Sequence, residues 1–298
     1  MKKIVTILLL LFCFFSPVFA QTPVTIEDEL YGYVLGIEGG SSQRRGDFIK
    51  DQLKQLGVGY VAVPFSSPSP QKNDTTILTG ENIIVRFGRG EKKIVVGAHF
   101  DASEGSPGAN DNGSGVAVVL GLINHLRNED WKHTIEICFF DKEEQGCIGS
   151  MQYLLKYVLP KNHLAMINLD VEGSGDEMYI GPVDSQIDRM LLPIVHEAEQ
   201  QTGFPFVERS VYPKSDYLPF ARLHLENISI SVVPKGDGDR LSRMLALASG
   251  EKPDSAGTPH VLLALHTPYD RSLLVEPKAL KMSYEFTKTL LLLLNSRR

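Results

Sequence analysis

Apolar positions fall into short runs whose spacing switches repeatedly between helical and strand-like. Residues 26–57 carry helical spacing in two pieces, broken at Gly39-Gly40-Ser41-Ser42. In the second piece, residues 43–56, Phe48, Ile49, Leu53 and Leu56 share one face. Residues 58–63 read as a strand, and 66–74, with three serines and two prolines, as a loop. Residues 82–87 and 93–99 are strand candidates joined by Gly88-Arg89-Gly90, a hairpin-like connection. Residues 116–126 are nearly all apolar and long enough for a buried helix. Strands follow at 134–140, 165–169, 178–180 and 228–233. Helices are expected at 150–158, 187–199, 219–223 and 277–294. This alternation predicts an α/β fold: a mainly parallel, mixed β-sheet sandwiched between helices. In such sheets, sites form at the carboxyl ends of the strands.

Residues 234–262 are the least regular stretch. Lys235-Gly236-Asp237-Gly238-Asp239 and Ser255-Ala256-Gly257-Thr258-Pro259 read as loops, with a short helix at 241–248 between them. The excursion is either a rim over a site or a plain surface insertion.

The chain starts like an exported protein. Lys2 and Lys3 precede an apolar core at 7–15, and Val18-Phe19-Ala20 offers a small-residue cleavage site. Residues 1–20 are therefore expected to be a signal peptide, and the protein periplasmic or extracellular. The apolar core is short for a membrane span, so no stable membrane insertion is expected; an uncleaved anchor is the alternative. Cleavage leaves 278 of the 298 residues, suiting one catalytic domain over 21–298. It also removes Lys2 and Lys3, taking the net charge from −6 to −8. An acidic chain without a basic cluster argues against nucleic acid and anionic membranes as partners. Cys138 and Cys147 remain; one lies in a strand and the other beyond a turn, and the reading favours free thiols.

The candidate chemistry sits where predicted elements end. His99 and Asp101 follow the run Val95-Val96-Gly97-Ala98. Asp111 lies in Gly108-Ala109-Asn110-Asp111-Asn112-Gly113-Ser114-Gly115, just before the buried helix. Glu143 and Glu144 follow the strand at 134–140, and Asp170 the strand at 165–169. His266 follows the apolar run 261–265. Metal-assisted hydrolysis needs imidazole and carboxylate ligands plus a spare carboxylate for protons. Each residue has an ordinary alternative, such as a solvated turn or a helix cap at Asp111. Together they supply complementary groups.

The series Gly97-Ala98-His99-Phe100-Asp101, Gly108 to Gly115, Phe140-Asp141-Lys142-Glu143-Glu144-Gln145-Gly146, Asn168-Leu169-Asp170, Ser215-Asp216 and His266-Thr267 resembles the M28 zinc metallopeptidases, in particular aminopeptidases of the bacterial leucyl type. The resemblance runs from about Asn82 to the C-terminus. It implies a zinc-peptidase (phosphorylase/hydrolase-like) fold and two Zn²⁺ per chain. Asp111 would bridge them, with His99 and Asp170 on one ion and Glu144 and His266 on the other. Glu143 would be the general base, activating a hydroxide between the metals to release N-terminal residues from a peptide substrate. Asp101 would orient His99 through its far ring nitrogen. Tyr212 matches a family tyrosine that stabilises the oxyanion. Val171 and Leu265 flank ligands and read as core residues, with pocket lining as the alternative. Lys142 either meets solvent or tunes Glu143. Glutaminyl cyclases share the fold and many motifs but use one zinc; a catalytically silent binding protein is a third reading.

Overall fold

The computed structural model describes residues 24–183, 190–248 and 257–297; the expected signal peptide, the start of the helix expected at 187–199 and part of the second loop of the 234–262 stretch lie outside the described residues. The strands are β1 (Tyr60–Pro68), β2 (Ile77–Phe87), β3 (Lys93–His99), β4 (Thr134–Phe140), β5 (His163–Leu169), β6 (Glu177–Gly181), β7 (Phe206–Glu208) and β8 (Asn227–Val233). They form an eight-stranded sheet in the order β1-β2-β4-β3-β5-β8-β6-β7. The central strands β4, β3, β5 and β8 are parallel, while β1, β2 and β6 pair antiparallel at the flanks. The sheet is thus mixed, with a parallel centre as expected.

Alternate residues of the central strands face different layers. Ile94, Val96, Ile135, Ile137, Ala165 and Ile167 join the larger core with α1 (Ile26–Ile37), α3 (Gly115–Leu126), α5 (Leu191–Thr202) and α8 (Pro277–Ser296). Val95, Cys138, Phe140 and Met166 join the opposite core with α4 (Ile148–Tyr157) and α6 (Leu218–Arg222). Burial on both faces explains why these strands read as continuous apolar runs.

Several boundaries differ from the sequence expectation. β2 and β3 are not a hairpin, because β4 lies between them. Gly88-Arg89-Gly90 instead carries the chain past the start of β4, against the backbone of Lys132 and His133: a two-period pattern identifies strands but not neighbours. β1 continues through Pro68, so the expected loop at 66–74 begins later. Pro68 is tolerated because β1 is an edge strand. Helix α7 (Asp237–Ala248) begins inside the run read as a Gly-Asp loop, with Asp237 and Asp239 in its first turn. β7 has three residues and left no periodic signal. Cys138 and Cys147 are free and buried.

Helix α2 (Ser42–Gln55) contributes an unforeseen device. Arg45 is fully buried. Its guanidinium donates to the carbonyls of Ile37 (3.2 Å), Pro107 (3.1 Å), Gly108 (3.1 Å) and Phe100. It therefore ties the exit of β3 to the Gly108 loop. Burial pulls its pKa down to about 10, opposed by Asp101, Asp111 and Asp270, so it stays charged at neutral pH. Arg45→Met should cost about 3 kcal/mol, because it strands buried carbonyls and leaves acids without their cation. Urea unfolding measures this; a loss below about 0.5 kcal/mol, typical of surface substitutions, would remove Arg45 from that role.

Candidate metal centre

Two donor clusters share one carboxylate. His99, Asp111 and Asp170 form one, and Asp111, Glu144 and His266 the other; within each, one donor atom per residue lies within 4.8 Å of the rest. Asp111 Oδ1 is 3.2 Å from His99 Nε2, and its Oδ2 is 2.9 Å from His266 Nε2. Its two oxygens thus face different histidines, as a bridging ligand requires. Asp170 Oδ1 lies 3.4 Å from His99 Nε2, and Glu144 Oε2 is 3.4 Å from His266 Nε2. Asp170 Oδ1 is buried without a hydrogen-bond partner among the described residues, an orphan that a cation would satisfy. Three carboxylates and two imidazoles suit two divalent zinc ions in charge and donor type.

The fold aims each ligand. His99, the Glu-Glu pair and Asp170 leave the carboxyl ends of the parallel strands β3, β4 and β5. Asp111 sits in an irregular turn before α3, away from helical angles (φ −105°, ψ 95°). The Asp270 carboxylate accepts the backbone N–H of Asn110 (2.8 Å) and Asp111 (3.0 Å). Asn112 donates to Leu169 O (2.8 Å) and accepts from Gly115 N (3.0 Å). Gly115 is required there: a Cβ would meet Asn112 Oδ1 at 2.3 Å and Leu169 O at 2.8 Å. Asn110 Oδ1 accepts from Gly173 N (2.8 Å), so the turn is stapled to the chain leaving β5.

Asp101 links the remaining parts. Its carboxylate lies 3.4 Å from His99 Nδ1 and accepts the N–H groups of Glu143 (3.0 Å) and Glu144 (3.2 Å). Ser103 holds Glu144 through its N–H (3.0 Å) and hydroxyl (2.6 Å). Glu143 belongs to neither donor cluster; its Oε1 accepts from Cys147 Sγ at 3.4 Å. Burial pushes the Glu143 carboxyl well above the usual range; Asp216, Asp170 and Asp101 add to this and His99 opposes it. Asp216 is itself fully buried, and burial pushes it up to about 7. Lys142 lines a separate groove with Asp47 and Lys50, so it does not face Glu143 across the site.

His266 reaches the site from a loop after a short 3₁₀ turn, His260–Leu263, and not from a strand. Its side chain is 60 % exposed, which puts this cluster at the rim. The Asp111 hydrogen bond raises its pKa to about 9. His99 is also raised: burial opposes its charge, but Asp170, Asp101 and Asp111 outweigh burial. Both shifts come from the carboxylates clustered around the two imidazoles, negative charge that a divalent ion would also satisfy.

The cavity over these groups has a volume of about 340 Å³. Val171, Val233, Leu241, Val261, Leu262 and Leu265 give it an apolar side. Val171 and Leu265 meet both readings: they pack against the apolar cluster of Tyr179, Tyr217, Val233 and Leu241 and also line the cavity. Leu241, Val261 and Leu262 show that the irregular 234–262 stretch contributes to the rim. Tyr212 also lines the cavity, but its hydroxyl bonds to Ser231, whose own proton goes to Asp170 O. Burial raises the Tyr212 pKa well above 10, so the phenol remains protonated.

Sequence reasoning brought together His99, Asp101, Asp111, Glu143, Glu144, Asp170, Tyr212 and His266, and all of them meet here. It missed Arg45, Ser103 and Asp270. Asp270, four residues after His266, acts on backbone about 160 positions upstream, for which local spacing holds no signal.

The model of Peptidase family M28 matches residues 82–289. The aminopeptidase YwaD of Bacillus subtilis is 32 % identical over 133 residues, covering 43 % of this chain and 29 % of that enzyme. The chain thus spans under a third of that relative's length. Among solved structures, a zinc aminopeptidase from Bacillus subtilis superposes with TM-score 0.69 at 14 % identity, covering 90 % of this chain and 95 % of that one. Porphyromonas gingivalis glutaminyl cyclase superposes with TM-score 0.70 at 21 % identity, covering 91 % and 99 %. At such identities these two likenesses concern the fold alone. With the family match spanning most of the chain and the site motifs within it, the protein belongs to peptidase family M28.

Proposed function

We propose that this protein is an exported zinc-dependent aminopeptidase, with a signal peptide at 1–20 and one catalytic domain over 21–298. The observation that carries the reading is Asp111, whose two carboxylate oxygens face separate histidines. The aminopeptidase names of its relatives support the reaction class. His99, Asp111 and Asp170 would hold one zinc, and Asp111, Glu144 and His266 a second. When bound, the ions supply Lewis-acid polarisation of the peptide carbonyl and acidify water. The remaining chemistry belongs to the chain. Glu143 takes the proton of the attacking water and delivers it to the leaving amine. Asp101 orients His99 and fixes the backbone beneath both glutamates. Tyr212 would turn its hydroxyl from Ser231 to the developing oxyanion. The apolar cavity wall favours an apolar first side chain.

The test combines metal analysis, intact mass and amino-acid release on the exported protein. We expect two zinc ions per chain, an N-terminus at Gln21 and free amino acids from short peptides. One tight metal with pyroglutamate formation from N-terminal glutamine would replace this reading with the cyclase. Residues 1–20 still attached would remove the export claim.

A further inference from the structure

A second cavity, of about 370 Å³, opens on the far side of the two glutamates. It shares Glu143, Glu144 and Lys214 with the metal-facing cavity but contains none of the other candidate ligands. Its own walls come from Pro70, Met151 and Arg222, among others. Pro70 belongs to the loop between β1 and β2, outside the family match. It closes against Gly146, whose φ of +110° suits glycine and where a Cβ would meet Pro70 Cγ at 3.0 Å. The volume is near the lower end of small-molecule sites, about 300–1,000 Å³, leaving room for a residue or two.

Position decides what enters it. Glu143 must reach both the attacked carbonyl and the leaving nitrogen, so the chain beyond the scissile bond departs past Glu143. With the first side chain against the apolar wall, that departing part enters the second cavity. Two cations meet it there. Lys214 stands at the junction of the cavities, and Arg222, at the end of α6, lines the second alone. Both are exposed, and neither has an ion-pair or hydrogen-bond partner through its charged group among the described residues. A guanidinium with free donors is matched to a carboxylate, which it can hold through two parallel hydrogen bonds.

We propose that this cavity is the leaving-side subsite and that Arg222, assisted by Lys214, binds a carboxylate of the substrate. The inference rests on the aminopeptidase reading and narrows it to short peptides with a free C-terminal carboxylate or an acidic residue after the scissile bond. Carboxylates Glu143 and Glu144 occupy the junction, so a substrate carboxylate is directed away from them towards Arg222.

The test reads binding without turnover, on zinc-loaded mature protein carrying Glu143→Gln. Calorimetry compares Leu-Ala with Leu-Ala amide, and separately Leu-Asp amide with Leu-Asn amide. At least one acidic member should bind about tenfold more tightly than its neutral partner, a charge-assisted preference that weakens with salt. A preference in the first pair assigns the terminal carboxylate; one in the second assigns a side chain. Adding Arg222→Gln should bring the ratio close to one. Both arg and lys side chains are exposed, so their replacement leaves the core intact. Equal affinities within both pairs, or a preference surviving Arg222→Gln with Lys214→Met, overturns the subsite. Failure of the aminopeptidase reading shows differently, as no leucine released from any peptide by the unmodified protein.

Discussion

Glu143→Gln is expected to lower kcat by about 10²–10⁴-fold while the protein keeps its zinc and its fold. The amide has nearly the carboxylate's shape and its oxygen can still accept from Cys147, but it cannot take a proton from water at neutral pH. Glu143 lies outside both donor clusters, so the substitution removes chemistry without removing a ligand. Its neighbour separates the roles. Glu144 faces His266 and is held by Ser103, so Glu144→Gln should lose an ion together with activity. Metal content and peptide hydrolysis on both variants decide between them. Near-normal kcat in Glu143→Gln, or metal loss confined to that variant, would reverse the assignment of the two glutamates.

Asp111→Ala should empty both metal positions or leave one ion weakly held, with hydrolysis abolished. Each cluster loses a donor at once, because each draws on one oxygen of the same carboxylate. The loss also leaves His99 and His266 with one facing carboxylate fewer, which removes part of the charge that attracts a dication. The surrounding turn should survive, since Asp270 holds it through backbone N–H groups and Asn112 through Leu169 and Gly115. Titration of the metal-free variant with zinc measures the outcome. Two tight sites in Asp111→Ala would show that the carboxylate does not bridge.

The contrast between these residues and their supports shows what was legible. Candidate site groups occur in runs where an apolar strand stops and a polar group begins, so His99, Glu143, Glu144 and Asp170 announce both their position and their chemistry. His266 announced only its chemistry: the apolar run before it folds as a 3₁₀ turn and supplies cavity wall. Arg45, Ser103 and Asp270 announced neither. Each works on backbone groups or side chains far away in the chain, and such partners have no local period. The Gly88-Arg89-Gly90 connection failed for a related reason. Two adjacent strands separated by a short glycine link look alike whether or not they pair.

The sequence by itself determined the α/β class, the parallel centre and the set of groups gathered at its carboxyl edge. Those follow from short-range facts: alternation of apolar positions places strands and helices, and parallel strands deliver their ends to one side. Tertiary structure alone decided the order β2-β4-β3 and the 3₁₀ turn that brings His266 to the site, and it supplied the distances for the Asp111 bridge and the split of the two glutamates that the family resemblance had implied. It also decided that Arg45, upstream of the family match, clamps the loops of the site, and that Arg222 and Pro70 meet across a second cavity. These depend on which distant segments pack together, and packing is set by the whole buried core at once, not by the spacing of residues along the chain.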